Sequence, residues 1–381
     1  MSGDMDETLV MLRDTAAAFV RARPDHARQF RDANRATDPQ AWRQIAEQGW
    51  LAIMVPEAAG GLGLGVTPAA LVAEELGRGA FPDPYVAVGI LAVQALLGAE
   101  DPDLWQDRLA AIAQGELLAA VAWQNSAVGS SWDMPGIRGR EVDGQTVLEG
   151  ESRFVVPSAA DAFIVSVQEG EGISLYWLDR ATAGLTLRME LAADGTSYAW
   201  MIVDNVIVDP ARRIATGAAA REALDRAINA ALVVTSAELV GAMSQALVMT
   251  LEYLRTRKQF GVAIGSFQAL QHKAVDLWIQ WRLAEAAVGA AARVLDDPAA
   301  SLARQSAVAS GAKARAAQAA HLICSQAIQL HGAIGYADEY GLGLFLNRTL
   351  ALSAWLGNAS AHRRRYSQLT RGDHDSTEIA A

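Results

Sequence analysis

The hydrophobic pattern of this chain changes period twice, and that change constrains the fold more than any other feature of its 381 residues. From residue 6 to about 115, apolar side chains recur at helical spacing. Trp42, Ile45, Trp50 and Leu51 form one such series, and Ala69 to Leu76 forms another that runs through "EELGRG" to a glycine stop. Between them "VPEAAGGLGLG" has the composition of a loop. From about Leu117 to Val208 the pattern alternates, as in "QTVLEGE", "DAFIVSV", "GISLYWLD" and "YAWMIVDNVIV", with "DG" and "EGEG" marking hairpin turns. Helical periodicity then returns. One long segment runs from about Ala218 to Arg257, a second opens at a Ser266 N-cap and ends before "DDP", and a third runs from about Ser301 to Gly332. Short connections between helices of this length make neighbours antiparallel, which predicts a four-helix bundle closed by Leu342 to Leu356. The expected class is α+β, mainly α: an N-terminal α-helical domain over 1–116, a β domain over 117–216 and the bundle over 217–381.

Composition narrows the function. Hydrophobic residues make up 51% and charged residues 20%, an ordinary globular balance, and the length calls for two or three packed units. No apolar run is read as reaching the roughly 18 residues of a membrane span, and "MSGDMDETLV" is too acidic and polar for a signal peptide, so a cytoplasmic protein without membrane contact is expected. A net charge of −11 argues against nucleic acid, whose binding needs clustered positive charge. The single cysteine, Cys324, sits among Leu322, Ile323, Ala327 and Ile328 and reads as buried filler. "GGLGLG" fails the G-x-G-x-x-G spacing, no G-x-x-x-x-G-K-[ST] loop occurs, no G-x-S-x-G elbow occurs, and the six histidines make no metal-binding pair around an acid. A cofactor or substrate is therefore expected to be held by the bundle itself.

The most informative stretch is "RTRKQFGVAIGSFQALQHK" at Arg255 to Lys273. A long helix ends in basic residues, a Gln-Phe-Gly turn follows, and a new helix begins with Phe267 and Gln268 expected to face inward. Helix capping accounts for Arg257 and Lys258. It does not account for an aromatic flanked by amides, a set that suits the pyrophosphate and adenine of a dinucleotide.

"YLRTRKQFGVAIGSFQALQHKAVDL" and "QAIQLHGAIGYADEYGLGLFLNR" resemble the two C-terminal signatures of the acyl-CoA dehydrogenase family, and "GWLAIMVPEAAGGLGLG" with "EELGRG" is similar to its N-terminal signature. The resemblance spans about residues 40 to 365. It implies a helical domain, a β-barrel-like domain and a four-helix bundle, subunits assembled as dimers of dimers (homo- or hetero-oligomers), and FAD lying across a dimer interface. It implies an acyl-CoA substrate, and electron-transfer flavoprotein or a similar acceptor as electron partner. By similarity Arg257, Gln259 and Phe260 contact the adenosine diphosphate part of an FAD held mainly by the neighbouring subunit, with Gln268 nearby. Gln329, Gly332 and Gly335 let the backbone approach the same cofactor from the other protomer.

The family reaction needs a carboxylate to remove the α-proton of an acyl thioester while a β-hydride leaves to the flavin. In most members that base is a glutamate just before a Gly-Thr turn after the last bundle helix. Here the place reads Leu356-Gly357-Asn358, within a run from Tyr340 to Gly372 that contains no acidic residue. A second branch carries its base on the first bundle helix, at a position matching Ala231. Seven residues on along that face stands Glu238, with Val234, Thr235, Gly241 and Ala242 as helical neighbours, surroundings expected to raise its pKa. Members acting on bulky thioesters such as steroid side chains resemble this chain in "AELVGA" and in an "LG" turn followed by His-Arg. Glu238 is thus the candidate base; an interfacial acid paired with an arginine is the competing role.

The β domain also departs from the family. Trp123-Gln124-Asn125-Ser126 replaces the usual Thr-Glu-Pro beside the flavin, Gln124 offering a hydrogen bond, and Val155, Val156 and Pro157 line the ring or simply fill the β core. Arg363, Arg364 and Arg365 are candidates for CoA phosphates or a solvated helix end. Two functions stay open: FAD-dependent dehydrogenation of a bulky or branched acyl-CoA, placing the chain in lipid or steroid catabolism, and a non-catalytic, FAD-contacting partner subunit of a heteromeric dehydrogenase. A CoA-free flavin monooxygenase or nitroalkane oxidase of the same fold is a weaker third.

Overall fold

A computed structural model describes residues 2–33, 35–125 and 134–375. The chain begins with helices α1 (Ser2–Arg21), α2 (His26–Ala33), α3 (Pro39–Glu47), α4 (Val66–Arg78), α5 (Val93–Leu97) and α6 (Gln106–Ala113), and a buried π-helical turn over Val86–Ala92 leads into α5. Eight strands follow: β1 (Ala119–Ala122), β2 (Ile137–Val142), β3 (Gln145–Val155), β4 (Ala162–Glu169), β5 (Gly172–Asp179), β6 (Leu185–Leu191), β7 (Ser197–Val208) and β8 (Arg213–Thr216). Then come α7 (Gly217–Thr256), the two-residue strands β9 (Lys258–Gln259) and β10 (Val262–Ala263), α8 (Gln268–Asp296), α9 (Leu302–His331), α10 (Leu342–Ala354) and α11 (Ala359–Asp375). The order of helices, sheet, helices is the one the change of period predicts.

Local chemistry sets the ends of these elements. Asp38 accepts from the Gln40 and Ala41 amides ahead of Pro39, which opens α3 without wasting a donor. Ser301 caps α9, accepting from Arg304 N, and Gly332 ends it at φ 64° and ψ −139°. Ser266 does not cap α8. Its hydroxyl donates to Ala263 O inside a 3-10 turn, and the helix starts one residue later behind Phe267, which offers no side-chain cap.

Contacts divide the chain into two compact units, Met1–Ala33 with Val66–Pro82 and Leu232–Ala381, and Asn34–Gly65 with Asp83–Ala231. The second contains the sheet, ordered β6-β7-β3-β2-β4-β5-β8 with β1 alongside β4. Asp143 and Gly144, both at positive φ, make the two-residue turn that joins β2 to β3 and fixes Val142 opposite Gln145. One face buries Ile137, Leu148, Phe163, Val165, Tyr176 and Met201 among others. The central β domain is present as expected, although its sheet is not closed into a barrel among the described residues. Among the described residues its end strands β6 and β8 pair only with β7 and β5, and β8 is four residues long.

The first unit is helical. Where α4 crosses α7 the two backbones touch: a Cβ on Gly77 would lie 2.1 Å from Glu238 O, and one on Gly241 would lie 1.8 Å from Glu74 O. These paired glycines bring Glu238 to the point of closest approach. One qualification to the expected absence of long apolar runs concerns α7, which contains an 18-residue window of mean hydropathy 1.5. That window is 83% buried inside the protein, as befits a core helix.

Candidate functional site

Glu238 is 4% exposed and its Oε1 accepts from both Nε (2.7 Å) and Nη2 (2.5 Å) of Arg348 on α10, itself 6% exposed. The expectation of a small, apolar environment is corrected here, because an arginine fills the space. A guanidinium held at two points stabilises the carboxylate, the opposite of the desolvated, proton-hungry state a base needs. The neighbours named from the sequence are as buried as expected, Val234 and Thr235 at 0%, yet they pack the pair instead of isolating the acid.

The turn after α10 is tied down by buried donors from two other helices. Lys313 of α9, wholly buried, donates to Leu352 O (2.6 Å) and Trp355 O (2.8 Å), carbonyls of the last turn and C-cap of α10. Burial lowers its pKa to about 7, opposed by the nearby Glu238 charge. His362 of α11 donates from Nε2 to Leu356 O at 2.9 Å, and burial with the Lys313 charge holds its pKa down at about 3, so the ring is neutral. Leu356 sits between them at φ 60° and 0% exposure, and Asn358 caps α11 by accepting from the Ser360 and Ala361 amides. The acid-free run therefore surrounds a buried amine and a buried imidazole, and Leu356 is part of the packing.

The residues around the Gln-Phe-Gly turn are disposed differently. Phe260 and Gly261 take positive φ values of 53° and 83° at the tip of the β9–β10 hairpin, and Phe260 is 91% exposed. Arg257 and Gln259 are exposed beside it. Phe267 and Gln268 do not face inward as expected: both are exposed, and Phe267 meets Phe260 edge-on with centroids 6.2 Å apart. Gln329 is exposed on the last turn of α9, while Gly335 is buried, where a Cβ would lie 2.7 Å from Ile328 O. The ends of α7 and α9 meet: the Tyr253 ring stacks on His331 at 4.5 Å, one turn before Arg257 and one residue before Gly332.

Gln124 belongs to the other unit, following β1. Its Oε1 is a buried acceptor without a hydrogen-bond partner among the described residues, so it is available to an external donor. Ser126 lies outside the described residues. Val155 and Pro157 are buried, and Phe154 beside them is 48% exposed. Arg363 bonds Gln318 and Ser360, and Arg365 bonds Ser310, consistent with a helix face secured to α9. Cys324 is 1% exposed and its thiol is pushed up to about 12, which makes it inert packing.

Comparison with known proteins places this geometry. Residues 6–116 match the family description of the acyl-CoA dehydrogenase N-terminal domain, and residues 220–368 match its C-terminal domain. Acyl-CoA dehydrogenase IpdE2 of Mycobacterium tuberculosis is 30% identical over 345 residues, 89% of each chain. The chain belongs to the acyl-CoA dehydrogenase family. IpdE2 of Mycolicibacterium smegmatis is 28% identical over 95% of this family member and 98% of its own length. Among solved structures, the Tcur3481–Tcur3483 steroid ACAD superposes with a TM-score of 0.86 at 26% identity, covering 97% of this chain and 99% of its own. The ChsE4–ChsE5 complex of Mycobacterium tuberculosis superposes at 0.85 and 25%, covering 95% and 96%.

Sequence reasoning missed Arg348, Lys313 and His331. Each left a signal: a lone cation in the apolar "LFLNRTLAL", a lysine in the alanine-rich "GAKARAAQAAH", and a histidine at a helix end. What the sequence does not contain is which distant acid or carbonyl each cation meets.

Proposed function

We propose that this chain is the flavin-contacting, non-catalytic partner subunit of a heteromeric acyl-CoA dehydrogenase, with the proton-abstracting carboxylate supplied by another subunit. The observation that carries this reading is the Glu238–Arg348 pair. The acid that would serve as base is already bound by a guanidinium, and Leu356 and Ala231, at the two positions where relatives would carry one, are apolar and buried. Similarity to a steroid ACAD and to the ChsE4–ChsE5 complex favours a heteromeric setting and a bulky thioester substrate.

FAD, when bound, supplies the hydride acceptor of this chemistry. The residues present fit it. An exposed arginine and an exposed phenylalanine stand together on a hairpin, and glycine backbone is open at Gly332 with nothing within 4 Å of an added Cβ; Gln124, in the other unit, holds an acceptor without a partner among the described residues. Arg257 would bind the pyrophosphate, Phe260 would cover the adenine, Gln259, Gln268 and Gln329 would offer amide groups, and Gly332 and Gly335 would allow close approach of the backbone, all from one protomer and not from two as the resemblance implies, because the ends of α7 and α9 meet at Tyr253 and His331. The reading places the reduced flavin upstream of electron-transfer flavoprotein or a similar acceptor.

The flavin spectrum tests it. Purified alone, the chain is expected to be colourless, and to become yellow and bleachable by acyl-CoA only with a companion subunit. A yellow preparation of this chain alone that an acyl-CoA bleaches contradicts the proposal.

A further inference from the structure

We infer that His331 is a positioning residue that holds the two flavin-contacting segments of this chain in register; the inference rests on the flavin-contacting function proposed above. His331 is 3% exposed and fully engaged. Its Nδ1 donates to Ala327 O at 2.7 Å, one turn back on α9, its Nε2 lies 3.1 Å from the Tyr340 hydroxyl, and the Met249 carbonyl of α7 also hydrogen-bonds the ring. Its face stacks on Tyr253 at 4.5 Å and 25°, and the Tyr340 ring lies 5.0 Å from it at 57°.

The three rings come from three places. Tyr253 is on α7, and its carbonyl accepts from the Arg257 amide, so the root of the hairpin is bonded directly to the stacked residue. His331 is the last residue of α9, and Gly335 of the following loop folds back until a Cβ there would stand 3.0 Å from His331 Cβ. Tyr340 closes the loop on its far side, two residues from Asp338, which Arg28 and Arg31 of α2 both grip. A shift of the imidazole would thus move the Arg257–Phe260 hairpin relative to Gln329 and the Gly332–Tyr336 loop. Desolvation keeps the pKa of His331 below its ordinary value, opposed by hydrogen bonds to the Ala327 and Met249 carbonyls. The charged groups nearest in the chain, Glu252, Arg255, Asp338 and Glu339, are on the surface side of these elements.

The Tyr253 ring, the His331 imidazole and the Tyr340 hydroxyl can be removed separately. Hydrogen exchange of the loops and flavin loss are measured on Tyr340→Phe, His331→Phe, Tyr253→Ala and Tyr253→Phe, each purified in its FAD-loaded oligomer. Tyr340→Phe, His331→Phe and Tyr253→Ala are expected to speed exchange of the amides at 258–263 and 333–337 and to raise the flavin off-rate about tenfold, the loss of one well-formed contact. Tyr253→Phe, which keeps the stack, is expected to behave as wild type. Exchange within 309–320 of α9 should not change, whereas a purely structural role would loosen it equally, and that result overturns the inference. Wild-type flavin loss and exchange in Tyr253→Ala and His331→Phe also overturn it, as does loosening of the loops with flavin retention unchanged. A wild-type protein that carries no FAD in any assembly instead removes the flavin-contacting function itself.

Discussion

Glu238 shows what a buried charge does when its partner is close. A guanidinium at 2.5 Å repays part of the cost of burial, but removing one member strands the other. Glu238→Gln alone is expected to cost about 3–5 kcal/mol in denaturant unfolding, whereas replacing both members by Met should cost far less. Lys313 carries a pH signature of its own. Its pKa is about 7 in the fold against an ordinary 10.5, so the neutral amine, still able to donate to both carbonyls, is the form the fold prefers. Its contribution is complete above about pH 10.5 and is lost as the pH falls through 7, because the unfolded chain takes up the proton first. Unfolding free energy measured against Lys313→Met should therefore favour the wild type increasingly between pH 7 and 9.5, by the order of a few kcal/mol; a difference independent of pH would show a permanently charged amine. The sequence made Glu238 visible as an acid in an apolar helix face. It could not show Arg348 110 residues away, and so it could not separate a base from half of an ion pair.

Helices and strands were far more legible, because periodicity is local and burial of one face repeats it. The long C-terminal helices fall within a residue or two of their expected limits, and the Asp143-Gly144 turn joins the strands it was read as joining. The failures have one cause. Ser266 as N-cap and Phe267 and Gln268 as inward residues both depend on how a segment meets something distant in sequence. The crossing of α4 and α7 is another such case, invisible in "EELGRG" until Gly77 and Gly241 are seen backbone to backbone. Gly241→Ala would force those helices apart and is expected to cost about 1–3 kcal/mol or more, read as a lowered Tm. Phe260→Asn on the hairpin should behave in the opposite sense. The side chain is 91% exposed at a positive φ that asparagine tolerates, so stability should stay within about 0.5 kcal/mol while flavin retention falls. Equal flavin retention would separate the hairpin from the cofactor.

For the molecule as a whole, the family signatures and their spacing gave the domain types, and the structure redirects the question of mechanism. An arginine-bound Glu238, a packed Leu356 and an open hairpin are the grounds for the proposed cofactor platform without a base. The charge-neutral pair Glu238→Met/Arg348→Met tests this most directly, because it removes the only carboxylate proposed as base while sparing the fold the cost of an unpaired charge. In the FAD-loaded oligomer purified through this chain, anaerobic bleaching of the flavin by acyl-CoA is predicted to proceed within about threefold of the wild-type rate. Loss of a general base costs about 100- to 10,000-fold; a fall of that size, with flavin content and Tm preserved, would make Glu238 the base and contradict the account.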